Sequence, residues 1–412
     1  MSAENNVPAI RFKGFSGMWG EYSFSDISDS FEYGLNAAAT KYDGENKYIR
    51  ITDVNEDTRA FDLGAITSPN ADLSKADNYR LQLGDILFAR TGASVGKTYI
   101  YKKHDGVVYF AGFLIRARVK KEVNTEFVFQ STLTEKYNKF IRLTSQRSGQ
   151  PGVNALEYGS YKIFLAPPKE QIKIGNYFQQ LDTLIAQHQQ KHDKLLNLKK
   201  ALLEKTFPKQ GATVPDIRFK GFSGEWEEKE LGSDVAEIVG GGTPSTNMSE
   251  YWDGDIDWYS PTEIGKKVYA DGSIKKITPL GLVKSSARVL PSNKTVLFTS
   301  RAGIGDVAIL KRDGSTNQGF QSLIMKDGFD AYFVFSASHL IKQYALKHAS
   351  GSTFLEISGK LLGKMGIYIP CSTEQTKIGN LFKQIDILIT QHQTQMIKLN
   401  NIKQACLSKM FV

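Results

Sequence analysis

Between residues 170 and 207 the apolar positions fall at alternating spacings of four and three. They are Ile174, Phe178, Leu181, Ile185, Leu195 and Leu202, with His188, His192 and Lys199 completing the series. The spacing returns between residues 374 and 411 as Ile378, Phe382, Ile385, Ile389, Met396, Leu399 and Cys406, with His392 and Lys403 in polar slots. A mean period of 3.5 predicts two long helices, each with the a/d seam of a left-handed coiled coil. Pro168 precedes the first, and Ser372 with Gln375 offers a capping box for the second. Elsewhere the pattern shortens to brief apolar runs between Gly, Asn and Asp turns. These predict strands over 85–89, 98–102 and 107–116, then over 295–299, 307–310 and 322–325.

The two helical stretches are copies. EQIKIGNYFQQLDTLIAQHQ at 170–189 answers EQTKIGNLFKQIDILITQHQ at 374–393, and 22 of the 38 positions from 170 to 207 are identical in the second copy. A second repeat supports the first: VPAIRFKGFSGMWGEY at 7–22 and VPDIRFKGFSGEWEEK at 214–229 match at 12 of 16 positions. The chain therefore holds two copies of one plan, a short motif, a long variable region and a long helix. Boundaries are expected at 1–19 (first short segment), 20–168 (first variable domain), 169–208 (central helix), 209–226 (second short segment), 227–370 (second variable domain) and 371–412 (C-terminal helix). The variable regions share weak echoes. Ile86-Leu87-Phe88 before RTGASVG resembles Val296-Leu297-Phe298 before SRAGIG, and a Ser-Gly turn follows in each, at 148–149 and 350–351. Retained frames with divergent surfaces are what two modules with different targets require.

Connectivity sets the direction of the helices. The first carries the chain out of one variable region and the second leaves the other, so a pair must be antiparallel. About 37 residues span roughly 55 Å. The alternative is that each helix packs only on its own domain. His188 with His392, and Lys199 with Lys403, occupy equivalent seam positions. Metal ligation or pH sensing is one reading of the histidines; fixing the register at some cost in stability is the other, and is favoured because no further ligand has metal spacing nearby.

At 412 residues the chain is long enough for two or three domains, and 41% hydrophobic with 23% charged residues is a soluble globular composition. No window predicts a transmembrane helix, and MSAENNVPAI is not patterned as a signal peptide. Cys371 and Cys406 lack metal spacing and fit free thiols in a reducing cytoplasm. A formal charge of +9 suits a nucleic-acid partner without proving one. Gly92 to Thr98 looks like a phosphate loop but has three residues between its glycines where a Walker A loop has four. Gly303 to Ala308 resembles a dinucleotide fingerprint, but turn-rich sequence follows it, not a helix. There is no NPPF-like tetrapeptide, GxSxG elbow, HExxH or zinc-spaced cysteine set, and the six histidines form no set with carboxylates.

The repeated RFKGFSG.W segments at 11–19 and 218–226, with the EQ.KIGN.F..D.LI..HQ segments at 170–189 and 374–393, resemble the conserved regions of the specificity (S) subunits of type I restriction–modification enzymes. The resemblance covers the whole chain. It implies an α+β fold: two mixed α/β target recognition domains joined by two long antiparallel coiled-coil helices in a pseudo-twofold repeat. It implies a cytoplasmic, non-catalytic, DNA-binding subunit of a restriction system. Each domain would read one half of an asymmetric bipartite site in double-stranded DNA, and the helices would set the separation. The implied partners are two modification (methyltransferase) subunits and two restriction/translocase subunits. S-adenosylmethionine, ATP and Mg would belong to those partners, and the chain itself would carry no cofactor or metal.

Base reading favours Arg or Lys on guanine and Asn or Gln on adenine. On that chemistry the expected contacts in the first domain are Arg90, Thr91, Ser94 and Lys97 in one loop, with Gln146, Arg147, Ser148 and Gln150 in a turn. In the second they are Ser300 and Arg301, the stretch Ser315, Thr316, Asn317 and Gln318, and Ser352 with Thr353. Tyr99, Tyr101 and Phe110 are expected in the core. Gln187, Gln189 and Gln190, off the seam, are the expected docking face for modification subunits. A scaffold that joins two proteins is the rival reading; it predicts only weak, sequence-independent DNA binding. A self-contained methyltransferase is disfavoured by the missing motifs.

Overall fold

The computed structural model describes residues 6–412 apart from 148, 302 and 352–354. The chain divides into two compact units, Met1–Gln190 with Gln393–Val412, and Lys191–His392.

In the first unit a four-stranded antiparallel sheet runs Ser28–Tyr33, Leu114–Val119, Asp85–Ala89, Thr98–Ile100. Asp85–Ala89 is buried along its whole length, as its apolar run requires. The run at 107–116 forms two strands, Val108–Phe110 and Leu114–Val119, because Ala111-Gly112-Phe113 turns between them. Tyr99 and Phe110 lie in the core as expected, while Tyr101 is half-buried against it. Helices Thr125–Ser131 and Glu135–Thr144 cover the sheet, each started by a side-chain cap from Asn124 or Thr134. Strand Lys162–Leu165 pairs with Gly20–Ser23 and leads into the central helix, Pro168–Thr206, where Pro168 is the first helical residue.

The second unit repeats the frame. Ala236–Gly240, Gln321–Met325, Thr295–Phe298, Val307–Leu310 and Tyr269–Ala270 form a five-stranded sheet. Glu227–Glu230 pairs with Gly366–Ile369 ahead of the C-terminal helix, Ser372–Met410. This unit adds a three-stranded sheet of Lys275–Ile277, Trp252–Tyr259 and Gly314–Thr316.

All eighteen predicted seam positions are buried or half-buried. Within the first unit the helices run antiparallel: Tyr177 Oη meets Cys406 Sγ at 3.6 Å, and one turn on Asp182 Oδ1 accepts from Lys403 Nζ at 2.6 Å. In the second unit Lys199 Nζ donates to Asp386 Oδ1 at 2.5 Å. The polar seam lysines are thus committed to partner aspartates, in keeping with a register role. The capping box expected at Ser372 and Gln375 does not form. Gln375 reaches away from the helix, accepting from the Asp330 backbone N–H and donating to the Pro370 carbonyl, and Gln171 does the same with Asn124 and Ala166.

Candidate nucleic-acid interface

Each repeated motif is one clamp. The Arg11 guanidinium grips the fully buried carboxylate of Glu170 with two bonds of 2.8 and 2.6 Å, and Trp19 Nε1 adds a third at 3.3 Å. Arg218 grips Glu374 with two bonds of 2.8 Å. The third arm of each guanidinium holds the carbonyl of Gly17 or Gly224, whose φ of 85° and 80° suit glycine. The Arg11 and Arg218 pKa values rise because of these carboxylates. The Trp226 indole N–H is buried without a partner among the described residues, so the second clamp is not a perfect copy. The motifs anchor each short segment to the start of a long helix. They leave the chemistry of any interface to the variable loops.

The two loops that follow the central strands share several backbone contacts. Ala89 N–H donates to the Lys97 carbonyl and Gly96 N–H to the Ala89 carbonyl; Thr299 with Asp306, and Gly305 with Thr299, make the same pair. Val153 N–H reaches the Arg90 carbonyl as Ile357 N–H reaches that of Ser300. Thr91 bridges to Gly152 as Arg301 bridges to Glu356. Arg90 therefore stands where the second unit has Ser300, Thr91 where it has Arg301, and Lys97 where it has Asp306. The frame is common, and the side chains it presents differ in charge. The glycine-rich stretch at 92–98 is a turn between strands, with a short 3₁₀ segment at Gly92–Ser94. The stretch at 303–308 likewise leads into a strand.

In the first unit Ser94 and Lys97 line one cavity, Gln150 lies beside Gly92, and Arg90 and Thr91 begin the loop. The Arg90 guanidinium lies over the Tyr33 ring at 5.0 Å, half-buried. A Cβ on Gly92 would sit 3.0 Å from the Gln150 amide nitrogen. Gln146, Arg147 and Gln150 are exposed. Arg147 is tied to its own surroundings through the Thr144 and Gln146 carbonyls and an ion pair with Glu157. Ser148, Ser352 and Thr353 lie outside the described residues.

Three expected contacts of the second unit are buried and are corrected here. Ser315 and Thr316 are not in a loop: they form strand Gly314–Thr316 beside Trp252–Tyr259, at 0% and 2% exposure. Ser315 Oγ donates to the Asp257 carbonyl, and the Thr316 carbonyl accepts from Gly242. Ser300 is at 0% exposure, and its hydroxyl has no hydrogen-bond partner among the described residues. Arg301 stays half-buried at the loop edge, and Asn317 and exposed Gln318 form the turn beyond the strand, where the Asn317 side chain accepts from Gly319 N–H and that of Gln318 from Thr243.

The sequence reading missed Phe113. It is 62% exposed at the tip of the turn beside Arg90, whose N–H donates to its carbonyl; Gly319 occupies the same place next to Ser300. An aromatic immediately after Gly112 was the available signal.

A model of the type I restriction modification DNA specificity domain matches the chain twice, over residues 19–197 and 223–401. The chain belongs to this family. Each copy takes in one variable region and most of the long helix that follows it, and begins after the clamp arginine, Arg11 or Arg218. The chain is 35% identical over 193 residues to the MjaIX specificity subunit of Methanocaldococcus jannaschii, across 46% of this chain and 44% of that protein. It is 29% identical over 173 residues to the EcoR124I/EcoR124II specificity subunit of Escherichia coli, across 40% of this chain and 42% of that one. The matched stretch thus spans less than half the length of either relative. The crystal structure of a type I restriction–modification S subunit from M. genitalium shares the fold, with a TM-score of 0.68 and 13% identity over 98% of this chain and 99% of that one. Among the described residues no three His, Cys, Asp or Glu side chains form a metal-binding group, and no helix is long and apolar enough to cross a membrane.

Proposed function

We propose that the chain is the non-catalytic specificity subunit of a cytoplasmic type I restriction–modification complex. Each unit reads one half of an asymmetric bipartite site in double-stranded DNA through its central loop. The long helices set the separation of the halves and dock two modification subunits, with Gln187, Gln189 and Gln190 on the docking face; two restriction subunits complete the assembly. Cofactor chemistry belongs to those partners. The carrying observation is the pair of loops that share backbone contacts but differ at corresponding accessible positions: Arg90 and Thr91 in the first, Arg301 in the second, where Ser300 is enclosed. One frame with two side-chain sets is what reading two different half-sites demands.

Two further contact sets support the reading. Gln146, Arg147 and Gln150 flank the first loop, and Asn317 and Gln318 flank the second. The domain boundaries 20–168 and 227–370 enclose one loop each. The test is a map of methylated adenines in a host carrying this subunit with its modification partner. A single split, non-palindromic motif is expected. Arg301→Ala should relax one half of that motif and leave the other intact. A continuous palindrome, or equal relaxation of both halves, overturns the assignment.

A further inference from the structure

Beside the Gly92–Ser94 turn of the first unit lies a cavity of about 240 Å³. That is far more than the roughly 10–15 Å³ a single water needs. Its charged lining is Arg59 and Lys97 against Glu56, with Arg142, which pairs with Glu135 on its own helix, at the edge, and Ser94 and Asn138 supplying neutral donors. Arg59 Nη1 is buried and makes no hydrogen bond among the described residues, and its contact with Glu56 Oε1 is 3.8 Å long. Arg59 also holds a left-handed backbone with φ of 56°, a strained posture for a residue with a side chain, kept where the surroundings enforce it. The Lys97 side chain is only 9% exposed, its ammonium held by the Glu56 carboxylate and by the Val54 carbonyl at 3.3 Å. Glu56 itself is 70% exposed. It is a solvent-side carboxylate occupying the place of an anion between two cations, and it is able to swing out.

The second unit has no such excess of cations. At the position of Lys97 it carries Asp306, which pairs with Lys342 at 3.6 Å. Lys342 comes from helix Ser338–His348, the counterpart of Glu135–Thr144: a Cβ on Gly305 would strike Lys342, as one on Gly96 would strike Ile141. The same corner of the frame is closed by its own ion pair in one unit and left cation-rich in the other.

We propose that this cavity binds a phosphate group, displacing Glu56 from Arg59 and Lys97, with Arg142 closing the mouth. Resting on the DNA-reading function above, a backbone phosphate of the duplex is one source, which would position the first unit on its half-site; free phosphate is the other. The test uses the full chain and two variants. Arg59→Gln removes the unpartnered donor. Ala93→Glu places a carboxylate at an exposed lining position, where unfolding is not expected. Retained melting transitions establish that both fold.

Binding to a random duplex is then measured against salt, and melting is followed with inorganic phosphate. If the duplex supplies the phosphate, both variants lose about 0.9 from the magnitude of the log–log salt slope, the value of one phosphate contact. If free phosphate is the ligand, the slope holds and the phosphate-dependent rise in melting temperature disappears. Variants that match the wild type in both readouts overturn the site. Failure of half-site reading would appear elsewhere, as no preference of the wild type for its methylated motif over a scrambled duplex, and both phosphate readouts remain interpretable in that case.

Discussion

At the scale of single residues, buried charge decides most. Glu170 is fully buried, and its compensation is Arg11 with Trp19. Arg11→Ala leaves a carboxylate without its cation. The expected loss is about 2–3 kcal/mol, below the 3–5 of a fully buried pair because the guanidinium keeps some solvent contact. Amide exchange at residues 12–19 and 170–175 should accelerate, while the Arg218 clamp stays protected; uniform acceleration in both units would refute a local anchor. Glu126 behaves differently. Burial raises its pKa, opposed by the Gln130 amide that donates to it at 3.0 Å. A raised folded pKa means that folding favours the protonated acid. Its contribution is fully present below the unfolded value of about 4.3 and is lost as pH rises through the folded value. Glu126→Gln should therefore raise the melting temperature at neutral pH and change little below about pH 4. A gain of equal size at both pH values would contradict the burial argument.

At the scale of elements, two helices meet at a glycine. A Cβ on Gly175 would lie 2.4 Å from Asn124 Oδ1, the atom that caps helix Thr125–Ser131 through the Phe127 N–H. Gly379 stands likewise 2.7 Å from Asp330 Oδ1, the cap of Ala331–Ser336. Gly175→Ala must displace the cap or the long helix. Losing the cap costs about 1–2 kcal/mol and overpacking about 1–3. A urea midpoint for the first unit unchanged from wild type would show that the contact relaxes at no cost. The period of the long helices was legible because its apolar positions pack into the domain cores and its lysines meet aspartates of the other helix. The KIGN repeat was visible too, but its glycine names no neighbour until Asn124 and Asp330 are placed. The buried Ser315 and Thr316 misled for a related reason. Ser-Thr-Asn-Gln reads as a polar loop, and only pairing with Trp252–Tyr259 makes its first half a strand. Loop function was the least legible: Arg90 and Ser300 share a backbone site, but one stacks on Tyr33 and the other is enclosed, which depends on neighbours distant in sequence.

At the scale of the whole molecule, each unit has one lysine–aspartate latch between the two long helices. Lys199 lies seventeen positions after Asp182 on the central helix, and Lys403 seventeen after Asp386 on the C-terminal one. Each lysine pairs with the aspartate of the other helix, and the proposed ruler requires those intervals to stay equal. Tyr332 Oη and Gln130 Nε2 hold the second oxygens of Asp386 and Asp182, which ties each latch to the helices that cover its own sheet. Seven residues inserted within 187–198 preserve the heptad phase of the central helix but make the intervals unequal. One latch must open, and assembly with modification subunits should fail. A matching heptad inserted between Asp386 and Lys403 restores equality. Both latches should close again, and the proposed ruler then grows by about 10 Å, or about three base pairs of spacer in the methylated motif. The single insertion tests the latches and the paired insertion tests the ruler. Unchanged assembly and specificity after the first would remove the helices as a spacer. A restored complex with an unchanged motif after the second would keep the latches and reject the ruler.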